Sequence, residues 1–180
     1  MFDRHCVRIT ALAALTVVLY GQPKPNDPKP QDIAGWDKIH WGMTIAQARS
    51  AYGIDSRAES NADWTLLTLN PVKMGEIKLS VQVGAKPPGE KITLVRLWLY
   101  FGLPTAPSSA GPQDFDTLRT MLVQKYGQPA NEEEKRGENF RLIKSVLWTF
   151  PSTSILMSLE QSASLPNLGN IYLDYTATSQ

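Results

Sequence analysis

At 180 residues, with 18 basic and 17 acidic side chains and one cysteine, the chain has the length of a single domain and a formal net charge of +1. A balance this even supplies no basic face for nucleic acid and no polybasic segment for an anionic membrane. One cysteine also excludes a disulfide framework within the chain, so a packed core has to hold the fold.

Met1 to Gly21 has the layout of a secretory signal peptide: basic Arg4 and Arg8, an apolar stretch from Ile9 to Tyr20, and a small residue at Gly21. That stretch is about 12 residues long, whereas a membrane-spanning helix needs roughly 20, so cleavage is expected and no stable span after it. A short uncleaved anchor is the alternative, because Leu19 stands where alanine would suit a cleavage site better. Cys6 precedes the apolar stretch and is misplaced for lipid attachment. Removing residues 1–21 takes away two basic side chains and one acidic, leaving 16 of each and no cysteine. The expected address is periplasmic or secreted, and the expected partner an envelope or extracellular protein.

Residues 22–34 begin QPKPNDPKPQ, with proline at 23, 25, 28 and 30, a spacing that blocks helix and sheet and reads as a spacer. The remaining 35–180 read as one α+β domain built twice: repeat one at 35–102, a linker at 103–111, and repeat two at 112–180. In the first repeat Thr44 and Gln47 form a capping-box pattern ahead of Ile45, Ala48 and Tyr52, and Gly53 stops the helix. The second repeat enters through Gly111 and Pro112, sets Asp114 and Asp116 in the first turn, and aligns Phe115, Leu118, Leu122 and Tyr126 before Gly127. Each helix is followed by a Trp-Thr dipeptide, Trp64-Thr65 or Trp148-Thr149, and by two further strand-like runs. Ile77, Leu79, Val81 and Val83 alternate with Lys78, Ser80 and Gln82, the period of a half-buried strand. Two helix-strand-strand-strand units of this size cannot cover their own apolar faces, so one antiparallel sheet with the helices packed on one face is expected.

The stretch from Trp41-Gly42-Met43-Thr44 through Gln47-Ala48-Arg49 to Tyr52-Gly53 resembles the capped-helix opening of small bacterial envelope modules. These include the outer-membrane-assembly small lipoproteins, and the tandem arrangement is similar to that of the β-lactamase inhibitor protein. The resemblance implies a helical segment packed on a small antiparallel sheet whose other face meets another protein. This chain departs from the pattern in lacking a lipid-bearing cysteine after its signal, and no inhibitory loop transfers to it.

Residues suited to catalysis are sparse. Without Cys6 and His5 the only imidazole is His40, between Ile39 and Trp41, which reads as structural or solvent-facing. One histidine and scattered carboxylates do not make a zinc site, so neither a metal nor a cofactor is expected. Glu132, Glu133, Glu134 and Glu138 cluster with Lys135 and Arg136 around Gly137 and read as a solvated loop.

The informative run is Ile92 to Phe101. If Val95, Leu97, Leu99 and Phe101 face the helices, alternation sends Arg96, Trp98 and Tyr100 to the opposite side, with Leu94 beside them. By the same phase Tyr172 and Asp174 face outward from the last strand. Tryptophan, tyrosine and arginine carry binding energy at interfaces. The expected function is therefore a non-enzymatic, exported protein-binding or envelope-associated module. A small apolar ligand carrier, with a cleft near residues 86–90, is the alternative, and a hydrolase using Asp174 comes last.

Overall fold

Branched and aromatic residues recur at period two along the long strands of the chain, and that alternation makes strand the dominant state among the described residues. The computed structural model describes residues 31–54, 58–87, 91–102, 111–136, 141–162 and 164–178. The expected signal peptide, the spacer as far as residue 30, and the linker at 103–110 lie outside the described residues. In chain order the elements are β1 (Gly35–Trp36), β2 (Ile39–His40), α1 (Ile45–Tyr52), β3 (Glu59–Ser60), β4 (Thr65–Met74), β5 (Ile77–Ala85), β6 (Ile92–Phe101), α2 (Gln113–Tyr126), β7 (Asn131–Arg136), β8 (Arg141–Thr149), β9 (Thr153–Ser162) and β10 (Gly169–Ala177). Strands β3 to β10 form one antiparallel sheet in the order β3-β4-β5-β6-β10-β9-β8-β7, and β1 pairs with β2 in a separate ribbon.

The register lines the core up in rows. Leu67, Val83, Val95, Tyr175, Ile155 and Trp148 are successive cross-strand partners from β4 to β8. Leu69, Val81, Leu97, Leu173, Met157 and Val146 make the next row, and both rows are buried. The helices add Ile45 and Ala48 from α1 and Phe115, Leu118 and Leu122 from α2 to the same cluster. Burying a leucine or valine of this kind contributes about 1.5–3 kcal/mol, so these rows dominate the stability of the chain.

This architecture corrects the expected fold class. The chain is mostly β, with 55% of the described residues in strands and 17% helical, and it is not a pair of helix-strand-strand-strand repeats under a helical layer. Each helix is followed by four strands, and the fourth was missed for an identifiable reason in each half. β3 has two residues, both exposed. β7 is the Asn-Glu-Glu-Glu-Lys-Arg run, exposed throughout and devoid of apolar period, yet it pairs with β8 over six positions. The reading of Glu132 to Arg136 as a loop is thus overturned, while Gly137 and Glu138 lie outside the described residues. Charge on an edge strand discourages further strands from adding to it, which accounts for a strand without an apolar face. The Trp-Thr dipeptides are not equivalent either: Trp64-Thr65 leads into β4, whereas Trp148-Thr149 ends β8.

Local stop and start signals operate as their chemistry dictates. In α1 the Thr44 hydroxyl accepts from the Gln47 amide at 3.2 Å, the Gln47 side chain accepts from the Thr44 amide at 2.8 Å, and Gly53 closes the helix at φ 61°. At the end of α2 the Gly127 carbonyl accepts from the buried Trp148 indole at 2.9 Å, which ties the helix terminus to β8.

The chain start reaches across to the far half of the sheet. Asp32 accepts from the Ser152 amide at 2.8 Å and from its hydroxyl at 2.6 Å. Thr153 is a buried polar side chain of the core: its hydroxyl accepts from the Trp41 indole at 2.7 Å and donates to the Ile33 carbonyl. Trp36 packs at 6.4 Å from Tyr175, whose phenol burial pushes well above its ordinary pKa. Asp32 to Ala34, the end of the expected spacer, therefore belong to the packed domain.

Candidate functional site

The face of the sheet opposite the core is built from the alternate residues of the same strands. Val95, Leu97, Leu99 and Phe101 of β6 are buried, and Arg96, Trp98 and Tyr100 point the other way. Among the described residues no helix lies over that side, since the buried residues of α1 and α2 all join the core.

Register brings the five candidate residues together on two strands. β6 and β10 are central neighbours, with Arg96 opposite Asp174, Trp98 opposite Tyr172, and Tyr100 opposite Asn170. The Arg96 guanidinium donates from Nε to Asp174 Oδ1 at 2.7 Å and from Nη2 to Oδ2 at 2.6 Å, a bidentate clamp between directly opposed residues. The same guanidinium sits 5.3 Å from the centre of the Tyr172 ring. Its pKa is raised, first by the hydrogen bonds it donates to Asp174 and then by the carboxylate charge, so it stays ionised throughout the physiological range. Burial, and then a hydrogen bond with Tyr100, push the Tyr172 phenol up to about 12. Trp98 is half-buried between Ser80 on β5 and Tyr172 on β10, whereas Tyr100 is 40% exposed.

Three consequences follow from this geometry. Arg96 and Tyr172 are held before any partner arrives, which lowers the ordering cost of binding. Asp174 is engaged by arginine and has no second carboxylate across the ladder, its other neighbour being Leu156; the paired acids that glycoside hydrolysis uses are missing there. Among the described residues no group of His, Cys, Asp and Glu side chains could hold a metal ion, and His40 is exposed on β2.

The face extends beyond what was singled out in the sequence. Leu156 is 41% exposed, between Asp174 and Leu147, and Tyr172 continues to Ser158 and Ser145. The signal for Leu156 was present: Ile155, Met157 and Leu159 alternate inward, which sends the residue between the first two outward. Trp64 was also missed as part of this face. It precedes β4 and lies against Gly84 of β5, where a Cβ would come within 3.0 Å of its ring, and Lys86 sits 5.2 Å from the indole centre. No local pattern reports that contact, because the absence of a side chain at residue 84 creates it.

No protein-family model, characterised protein or solved structure matches this chain.

Proposed function

We propose that the chain is an exported, non-enzymatic binding module that receives an envelope or extracellular protein on the open face of its sheet. The single observation that supports this reading is the aromatic and charged group on β6 and β10, with Trp98, Tyr100 and Tyr172 around the clamped Arg96–Asp174 pair, on a face that no described helix covers. Rings of this type bury large areas at low entropic cost, and a preformed ion pair gives orientation. The charged edge strand β7 and the two-residue β3 make strand addition the less favoured route, which leaves the face itself. The apolar-carrier alternative gains less support, because the concavity beside Lys86 is open to solvent and carries charge. Periplasmic or secreted location rests on the signal-like residues 1–21, and no helix among the described residues is long and apolar enough to cross a membrane.

The double variant Trp98→Ala, Tyr100→Ala tests the reading. The expected outcome is a melting temperature within about 3 °C of the parent, with loss of the envelope protein that the tagged parent captures. Unchanged capture would remove both rings from the docking surface, and collapse of the fold would assign them to structure.

A further inference from the structure

The end of the open face nearest Lys86 holds a concavity of about 610 Å³. In the row Leu66, Gly84, Leu94, Thr176, the glycine leaves a gap on β5, and the Trp64 ring lies against it. The indole and Leu94 make an apolar part of the lining. Lys86 holds its ammonium 5.2 Å from the indole centre at one side, and Arg96 contributes the second cation. Among the described residues Asp174 is the only acid in the lining, so these residues set two positive charges against one negative. Glu59, opposite Leu66 on β3, lies outside the lining.

The chemistry left over after the ion pair decides what fits. The clamp to Asp174 uses Nε and Nη2 of Arg96, and a guanidinium carries five donors, so Nη1 keeps its capacity for another acceptor. A bare inorganic anion would leave the indole and Leu94 unused, and an apolar group would leave the excess charge unmatched. A carboxylate beside an apolar or aromatic side chain satisfies both.

Resting on the reading of the open face as a protein-docking surface, we propose that this concavity receives an acidic side chain flanked by an apolar one on the partner's polypeptide. Lys86 and Arg96 engage the carboxylate, and Trp64 and Leu94 bury the apolar neighbour. Aromatic contact and the larger share of buried area remain with Trp98, Tyr100 and Tyr172, so the concavity acts as the charge-reading end of a longer interface.

Titration of the ¹⁵N-labelled full chain with two synthetic peptides tests this, one alternating Glu with Phe and one alternating Lys with Phe. The expected result is movement of the Trp64 indole and Arg96 Nε resonances with the Glu peptide only. That response should weaken as salt is raised and fall about tenfold in affinity in Lys86→Glu. Lys86 is exposed, so that variant should melt as the parent does. Equal response to the Lys peptide would overturn the proposal, as would equal affinity for free 4-phenylbutyrate, which would make the site one for small carboxylates. If neither peptide moves Trp64 while Trp98→Ala, Tyr100→Ala still loses its partner, the concavity is overturned and the face survives. If the Glu peptide binds while that double variant keeps its partner, the concavity is supported and the wider face falls.

Discussion

Residues one position apart on β6 have opposite duties. Leu97 is buried in the centre of a six-strand apolar row, while Arg96 and Trp98 on either side of it stand on the open face. The inner face is continuous across the sheet, and removing any member leaves a hole that its neighbours cannot fill. The outer face is discontinuous: one ion pair, a few rings, two serines beside Tyr172 and a gap at Gly84. Stability is thus concentrated on one side of each strand and chemical variety on the other, and the alternation of a pleated strand is enough to keep the two apart.

The largest expected effect tests that division directly. Leu97→Ala should cost about 2–5 kcal/mol in urea unfolding, the range for a buried large-to-small change. Trp98→Ala on the next residue should cost no more than about 1 kcal/mol, because its ring is only half-buried and a neighbouring tyrosine remains. Equal losses would erase the distinction between the faces.

Next comes Thr153, a buried polar side chain of the inner face. Thr153→Val keeps the shape but strands the Trp41 indole N–H and the Ile33 carbonyl without the hydroxyl between them. A loss of about 1–3 kcal/mol is expected, and faster amide exchange in residues 31–44 would show that the tie to the chain start had been loosened.

The smallest effect lies at the rim. Hydrogen bonds from Ser152, side chain first and backbone second, lower the pKa of Asp32 below its ordinary value of 3.8. A carboxyl group depressed in the folded state stabilises the fold above the unfolded pKa and loses that contribution as pH falls through the folded pKa. Asp32→Asn should therefore be slightly less stable than the parent at neutral pH, and the difference should shrink below about pH 3.8. Paired urea titrations across that range would check it, and a pH-independent difference would place the effect in packing.

Legibility followed the range of the interactions. The Thr44–Gln47 capping box and the glycine stop of α1 are contacts within one turn, and the residues that make them are adjacent in the chain. Outward placement of Trp98 and Tyr100 needs only the parity of a strand. Strand β7 could not be read, since an edge strand made of charges has no apolar period, and the equivalence suggested by Trp64 and Trp148 fails because the two rings sit on different faces.

Taken alone, the amino-acid sequence determined the helix boundaries, the parity of the apolar strands and the near-neutral charge, because each depends on neighbours within a few residues or on composition. Tertiary structure decided which strands became neighbours. Only the pairing of β6 with β10 sets Arg96 against Asp174, and only the packing of Trp64 on Gly84 brings the indole into the lining of the concavity. Contacts between segments this far apart arise from the packing of the whole sheet, where many alternative registers satisfy the same local pattern and one buries the most apolar surface.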